Sequence, residues 1–128
     1  MAYYSLLITC YFRRNLTAIA LVGVFVLVAC DAEPHKTDAE LGLNASQTHG
    51  RRVFEQRCQE CHFAYASRNL RGPTMHELFK KQYMPSGTPA NDDRVRDVIM
   101  LGRSKMPAFG RVLTPEQVDD LLAYLHTL

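Results

Sequence analysis

The clearest element that the hydrophobic pattern predicts is a helix at the C-terminal end of the chain. Thr114 is its predicted N-cap, Pro115 occupies the first helical position, and Gln117 completes a Thr-x-x-Gln capping box. The apolar residues that follow repeat at helical spacing and share one face: Val118, Leu121, Leu122 and Leu125. The pattern therefore predicts an amphipathic helix with a defined start and one buried face.

A second helix is predicted between Asn91 and Gly102. Asn91 is a capping residue, and Asp92 and Asp93 fall in the first turn, where the helix dipole favours negative charge. Gly102 is a typical C-terminal stop. The apolar positions within this stretch again lie on one side: Val95, Val98 and Ile99.

Two weaker helical patterns precede these. From Thr48 onward, Phe54, Cys58 and Cys61 fall at i, i+4 and i+7 along a predicted first helix. A short helix is predicted over Thr74–Lys81, with three apolar residues on one side: Met75, Leu78 and Phe79. No run has the pattern of a strand and no internal repeat is visible, so the predicted fold class is all-α.

The first 29 residues have the pattern of an export signal. Leu16–Ala29 is a run of 14 uncharged residues behind Arg13 and Arg14. A transmembrane helix needs about 20 such residues, whereas the h-region of a secretory signal is this short. The run ends in Leu27-Val28-Ala29-Cys30, which resembles the cleavage box of bacterial lipoproteins, in which the cysteine becomes the lipidated N-terminus.

Two alternatives to lipidation stay open: an ordinary signal peptide and a short uncleaved anchor. The Arg13-Arg14 pair also hints at twin-arginine export. All predict that the rest of the chain lies outside the cytoplasmic membrane, on its periplasmic face. Asp31–Gln47 shows no helical or strand period, so we expect residues 30–47 to be a lipidated N-terminus and a flexible tether. The predicted folded domain is 48–128.

Composition limits the function further. The chain has 128 residues, 47% of them hydrophobic, which is room for one globular domain. Its formal net charge is +2, so the charge balance does not indicate nucleic-acid binding. A domain of about 80 residues with helices this short has a small core, and such domains often need a disulfide, a metal or a cofactor.

Cys58, Cys61 and His62 form the motif that carries chemistry. Of the four cysteines, Cys10 lies in the predicted export signal and Cys30 at its cleavage site, which leaves Cys58-Gln59-Glu60-Cys61-His62. Cys-x-x-Cys-His is the attachment sequence for c-type haem. On a helix, two thiols three residues apart share a face and each can add to a porphyrin vinyl group, while the adjacent imidazole becomes the proximal ligand of the iron. We therefore predict one covalent haem c with its iron.

Other interpretations of the motif fit less well. A structural zinc site needs a fourth ligand and usually a second paired cluster. A thioredoxin-like redox pair needs a βαβ setting. A structural disulfide explains the cysteines of an exported protein but not the histidine.

With these residues in place, the chain from about Thr48 to Leu128 resembles a class I c-type cytochrome. Gly50 and Phe54 match the family's Gly-x-x-x-aromatic pattern on the first helix, where the resemblance implies a close crossing by the last helix at Leu121 or Tyr124. Gly72-Pro73 matches the family's proline, and the resemblance implies that the Pro73 carbonyl accepts a hydrogen bond from His62.

The family's distal iron ligand corresponds to Met106 in Met106-Pro107. Met84-Pro85 is a departure from the family pattern, because it offers a second methionine in the same dipeptide. Met106 is favoured because it lies 44 residues after His62, so the chain can pass around the porphyrin with the helix over 91–102 as part of the wall. Met84 lies only 22 residues after His62, and if it were the ligand, that helix would have no role in enclosing the haem.

A histidine and a thioether leave no open position on the iron, which favours electron transfer over oxygen chemistry. We predict a membrane-tethered carrier of single electrons between redox proteins, without enzyme activity, small-molecule substrate or nucleic-acid partner. The alternatives are a haem sensor or peroxidase-like domain with a displaced methionine, and a dedicated subunit of a larger oxidoreductase.

Arg103, Lys105 and Arg111 flank Met106 and suggest docking to acidic surfaces. We expect His49 and His126 to be surface residues.

Overall fold

The computed structural model of this protein describes residues 36–128. The export signal predicted over 1–29 and the lipidation predicted at Cys30 lie outside the described residues. Within 36–128, no helix has the length and apolar character needed to cross a membrane.

The first helix, α1, spans Ala45–Arg57 and so begins three residues before the predicted start at Thr48. Its N-cap is Asn44, whose side chain accepts a hydrogen bond from the Gln47 N–H, while the Gln47 side chain accepts one from the Asn44 N–H. These two bonds satisfy amide groups that otherwise lack partners in the first turn, so they determine where the helix begins. The helix ends one residue before Cys58. The prediction that both cysteines lie within the helix is therefore wrong, because they follow its last residue.

Two further helices are confirmed. Helix α2 spans Asp92–Leu101 with Asn91 as its N-cap and Gly102 after its last residue. Helix α3 spans Pro115–Leu125, and the Thr114–Gln117 capping box is present in full. Both starts are specified by side chains within three residues of the cap, which is why the sequence alone located them.

The predicted helix over Thr74–Lys81 is reduced to a 3₁₀ turn, Leu78–Lys80. Thr74 hydrogen-bonds outside any helix, since its hydroxyl donates to the Ala66 carbonyl at 2.6 Å and its N–H donates to the Asn69 side chain at 3.1 Å. Glu77 has a left-handed φ of 55°, which interrupts a right-handed helix at that residue. Hydrogen bonds to Ala66 and Asn69, eight and five residues back, thus replace the local helical pattern.

Part of the segment predicted as a flexible tether lies within the described residues and contains a defined turn. Residues 38–42 form a hydrogen-bonded turn, and Asn44 already caps α1. The turn is too short to repeat an apolar position, so the hydrophobic pattern of the sequence does not indicate it.

Helices α1 and α3 form the main packing pair, and the all-α fold class is confirmed. Gly50 of α1 approaches the α3 backbone so closely that a Cβ there would lie 1.9 Å from the Asp120 carbonyl oxygen. One helical turn further on, the rings of Phe54 and Tyr124 meet at 5.7 Å between centroids, tilted by 58°. Residues 36–128 contain no strand, only two isolated bridges. The buried core comprises Val53, Phe54, Ala64, Leu78, Val95, Ile99, Leu113, Val118, Leu121, Leu122, Tyr124, Leu125 and Leu128.

Candidate functional site

The Cys-x-x-Cys-His motif forms a hydrogen-bonded turn that continues from the end of α1. The Cys58 N–H donates to the Phe54 carbonyl at 2.8 Å, and the His62 N–H donates to the Cys58 carbonyl at 2.9 Å. The Cys61 N–H also donates to the Cys58 carbonyl, at 3.0 Å. Although the cysteines lie beyond the helix, these bonds keep them one turn apart, with His62 next in line. All three side chains are half-buried.

Both cysteines are free thiols. Burial raises the pKa of the Cys58 thiol to about 11, and the neighbouring Cys61 contributes in the same direction. Before any bond forms to sulfur, Cys58 is therefore a neutral thiol at neutral pH.

The His62 ring is held in one orientation by the loop that follows it. Its Nδ1 lies 2.6 Å from the Pro73 carbonyl oxygen, so Nδ1 carries the proton and donates it, which leaves the Nε2 lone pair available for a metal. Gly72 packs against the edge of the ring that carries the two nitrogens, because a Cβ at this position would lie 2.5 Å from His62 Cε1. The loop is closed by the Gly72 N–H, which donates to the Cys61 carbonyl at 2.8 Å.

Met106 lies at the end of a two-residue turn, and the chain that follows this turn is hydrogen-bonded to the end of α2. The Arg103 and Met106 backbones exchange hydrogen bonds of 3.0 and 2.9 Å, with Ser104 in the left-handed region at φ 52°. Gly102 has φ 73°, and a Cβ there would lie 2.7 Å from the Met106 carbonyl oxygen. Beyond the turn, the chain is tied to the end of α2 by the Phe109 N–H to the Ile99 carbonyl, at 3.0 Å, and by a similar bond one residue on.

Met84 also lies in a hairpin, but this hairpin is hydrogen-bonded mainly to itself. The Met84 N–H donates to the Thr88 carbonyl at 2.8 Å and the Gly87 N–H donates to the Met84 carbonyl at 2.9 Å. A Cβ on Gly87 would meet nothing within 4 Å, and neighbouring Tyr83 is 54% exposed. The Met84 loop is thus less constrained by neighbouring elements than the Met106 loop.

The described residues fit a covalent haem. The two thiols lie one turn apart, and His62 Nε2 is the ring nitrogen that does not bond to Pro73, as haem attachment and iron ligation require. Several apolar side chains contact the core yet remain only half-buried, which leaves apolar surface for a flat macrocycle to cover: Cys58, Met75, Phe79, Met84, Met100, Met106 and Phe109. A porphyrin with two thioether bonds would complete this small core.

A group of exposed basic residues flanks Met106. Arg103, Lys105 and Arg111 are exposed, and within residues 36–128 none of them makes an ion pair. Two exposed apolar residues accompany them, Leu101 at 77% and Val112 at 51%.

The predicted surface positions of His49 and His126 are confirmed, since both side chains are largely exposed and each faces an aspartate.

Sequence reasoning did not single out the polar group beneath α1. Tyr65 and Tyr124 place their hydroxyl oxygens 3.0 Å apart, and burial raises the pKa of Tyr124 strongly. Arg51 is buried and paired with Asp38 and Glu55, both at 2.8 Å. The ion pair between Arg51 and Glu55 could have been predicted from the sequence, because the two residues are spaced i,i+4. The contacts of Tyr65 and Asp38 depend on the tertiary fold.

Residues 45–125 match the family model described as cytochrome c oxidase, cbb3-type, subunit III. The chain is also similar to curated cytochromes c6. It is 29% identical over 113 residues to the one from Rippkaea orientalis, an alignment that covers 88% of this chain and 91% of the relative. The cytochrome c6 of Thermosynechococcus vestitus is likewise 29% identical, over 88% of this chain and 90% of its own length. The cytochrome c6 of a Nostoc strain is 23% identical over 88% and 91%.

Proposed function

This chain belongs to the cytochrome c family described as cytochrome c oxidase, cbb3-type, subunit III, and we propose that Cys58 and Cys61 hold its covalent haem c while His62 and Met106 ligate the iron. As a monohaem c-type cytochrome, the protein takes part in electron transfer. The observation that supports the proposed ligation best is the 2.6 Å hydrogen bond from His62 Nδ1 to the Pro73 carbonyl, because it orients Nε2 for a metal.

The bound haem supplies a one-electron iron couple, and the residues around it determine how easily the electron enters and leaves. His62 is restrained by Pro73 and Gly72, so its ring would be presented to the iron in one orientation. The Met106 thioether is a soft ligand that favours the reduced metal and raises the reduction potential. Two ligands held by constrained loops keep the reorganisation on electron transfer small.

The structure supports Met106 over Met84 as the distal ligand through the way the two loops are held. The Met106 turn is bonded to the end of α2 and packs on Gly102, whereas the Met84 hairpin is bonded mainly within itself. A distal ligand must keep its sulfur in place while the iron changes charge. The loop with tertiary restraints is better suited to this role.

The test compares Met106→Ala with Met84→Ala in the full-length holoprotein. In Met106→Ala we expect a lower reduction potential, loss of the weak charge-transfer absorption of iron–thioether ligation, and ready binding of carbon monoxide to the reduced protein. Met84→Ala is the matched control, because Met84 also precedes a proline, and it should change none of these three properties. Exchanged behaviour would identify Met84 as the ligand, and carbon monoxide binding by the wild type would favour a haem sensor.

We also propose that the protein is exported and held at the periplasmic face of a bacterial membrane by a lipidated Cys30. Support comes from the 14-residue uncharged run Leu16–Ala29, its two preceding arginines and the Leu-Val-Ala-Cys box. Two or three acyl chains at about 0.8 kcal/mol per buried methylene anchor a protein stably. Wild-type protein should need detergent for release, and Cys30→Ser should be soluble or unprocessed. Release of the wild type by salt alone would contradict lipidation.

Acidic redox partners are proposed from the exposed basic residues near Met106. Electron transfer to such a partner should slow as ionic strength rises, and Arg103→Gln/Lys105→Gln/Arg111→Gln should flatten that dependence. A control removes the same charge elsewhere on the surface: Arg52→Gln/Arg57→Gln/Arg94→Gln. A rate that is independent of salt, or an equal effect of both triple variants, would contradict docking through this surface.

The family description favours one second candidate, a fixed subunit of a terminal oxidase rather than a mobile carrier. Native electrophoresis of mildly solubilised membranes, stained for haem, separates the two. A subunit should migrate with a large complex that has oxidase activity, whereas a carrier should migrate alone.

A further inference from the structure

We propose that residues 37–43 form a clasp that folds onto α1 and leaves only six residues, 31–36, between the proposed lipid anchor at Cys30 and the folded domain. The clasp itself is argued from described contacts, whereas its effect on reach rests on the proposed lipidation. The consequence is a restriction of partners to redox proteins whose electron-exchange site lies close to the bilayer surface.

The clasp has its own start and stop signals. Thr37 and Glu40 form a capping box, in which the Thr37 N–H and hydroxyl donate to the Glu40 carboxylate at 2.7 and 2.8 Å, and the Glu40 N–H donates to the Thr37 hydroxyl at 3.3 Å. Gly42 ends the turn at φ 64°, with its N–H bonded to the Ala39 carbonyl and the Leu43 N–H bonded to the Asp38 carbonyl. This is the Schellman arrangement that normally closes a helix.

Two contacts hold the clasp on the domain. Asp38 Oδ1 lies 2.8 Å from Nη1 of Arg51, whose side chain is only 10% exposed and whose Nε binds Glu55 at 2.8 Å. Leu43 packs against the hydrophobic core. If the clasp opened, Arg51 would lose one of its two carboxylates in a mostly buried position, which is more costly than losing an exposed pair.

The short connection limits how far the domain can lie from Cys30, whatever conformation residues 31–36 adopt. Seven Cα–Cα steps from Cys30 to Thr37 span at most about 25 Å, whereas the 14 steps from Cys30 to Asn44 span up to about 50 Å once the clasp opens. A closed clasp therefore keeps the start of the domain within about 25 Å of a lipidated Cys30. Membrane-embedded redox proteins remain accessible at this distance, and carriers held far from the bilayer do not.

The clasp is tested first by proteolysis of the full-length holoprotein with an endoproteinase that cleaves after glutamate. Cleavage after Glu40 requires the turn to open, so it should be roughly tenfold faster in Asp38→Asn than in the wild type. Gly42→Val opens the turn by a different route, since a Cβ there meets no atom and only the positive φ opposes it. Asp119→Asn, which breaks an exposed pair with Arg96, is the control. Equal rates in all four proteins would overturn the clasp.

The reach is tested on phosphatidylcholine vesicles that contain a small fraction of lipid with a fluorescent headgroup, because the haem quenches a nearby dye. Wild-type protein should quench strongly, and Asp38→Asn and a variant with seven Gly/Ser residues inserted between Pro34 and His35 should both quench less. If Asp38→Asn quenches as strongly as the wild type while the insertion does not, the clasp does not set the reach. Failure of the wild type to bind vesicles would overturn the anchor and the reach together, and the protease experiment would still decide the clasp.

Discussion

Gly50 and Asp120 are in backbone contact across the α1–α3 pair, with room for no side chain between them. A Cβ on Gly50 would lie 1.9 Å from the Asp120 carbonyl oxygen and 2.9 Å from the Leu121 nitrogen. These are backbone atoms within a helix and cannot move aside as a side chain can. The contact sets how closely the first and last helices approach, and so positions the turn that carries Cys58 and His62.

Gly50→Ala should therefore force the two helices apart. We expect the free energy of unfolding to fall by about 3 kcal/mol, at the upper end of what overpacking costs. Chemical denaturation of the holoprotein followed by far-UV circular dichroism measures this. Arg52→Ala on the same helix is the control, since Arg52 is exposed and should change stability by less than about 0.5 kcal/mol. A Gly50→Ala protein as stable as the control would contradict the packing.

Gly72→Ala should disturb the proximal histidine rather than the whole fold. The added Cβ would lie 2.5 Å from His62 Cε1, so the ring must rotate away from the Pro73 carbonyl or the Gly72-Pro73 loop must move away from the ring. We expect a changed electron paramagnetic resonance spectrum of the oxidised iron and a shifted reduction potential. Arg71→Ala removes only an exposed ion pair with Glu60 and should leave both measurements unchanged. Identical spectra for both variants would refute this account of Gly72.

Cys58→Ser/Cys61→Ser should leave an unfolded chain rather than a folded apoprotein. The apolar residues that remain half-buried, among them Met75, Phe79 and Phe109, would then expose this surface to water. Circular dichroism should show little helix and thermal scans no cooperative transition. A haem-free double variant that unfolds cooperatively would show that the core is sufficient without the cofactor.

The Tyr65–Tyr124 pair predicts a loss of stability in alkali. Burial raises the pKa of Tyr124 in the folded state above its ordinary value near 10. The stabilisation from the neutral phenol is therefore complete below about pH 10 and is lost as the pH rises further. Tyr124→Phe should remove a slope of at most about 1.4 kcal/mol per pH unit from the free energy of unfolding between pH 10 and 11. Tyr83→Phe, at a position 54% exposed, should retain the wild-type slope. A wild-type slope in Tyr124→Phe would assign the titration to another group.

The parts of the fold that were predictable from sequence are those specified by neighbouring residues. Thr114-x-x-Gln117 and Asn91 located the starts of α3 and α2, because a capping bond involves side chains and amides within one turn. Asn44-x-x-Gln47 and Thr37-x-x-Glu40 carry equally local signals, and the start of α1 and the clasp could have been predicted from them. Hydrophobic periodicity gives no sign of either, because a single turn does not repeat an apolar position.

The rest required the tertiary structure. The Cys-x-x-Cys-His motif indicated the haem chemistry by itself, because both thiols and the imidazole lie within five residues. Whether Met84 or Met106 is better held depends on backbone bonds from Phe109 and Gly110 to the end of α2, each across ten residues. The Thr74–Lys81 pattern lost its helix to hydrogen bonds from Thr74 to Ala66 and Asn69, eight and five residues back. Local chemistry can be derived from adjacent residues alone, whereas the restraint of a loop depends on which backbone groups beyond its own turn lie within hydrogen-bonding distance, and only the folded chain determines that.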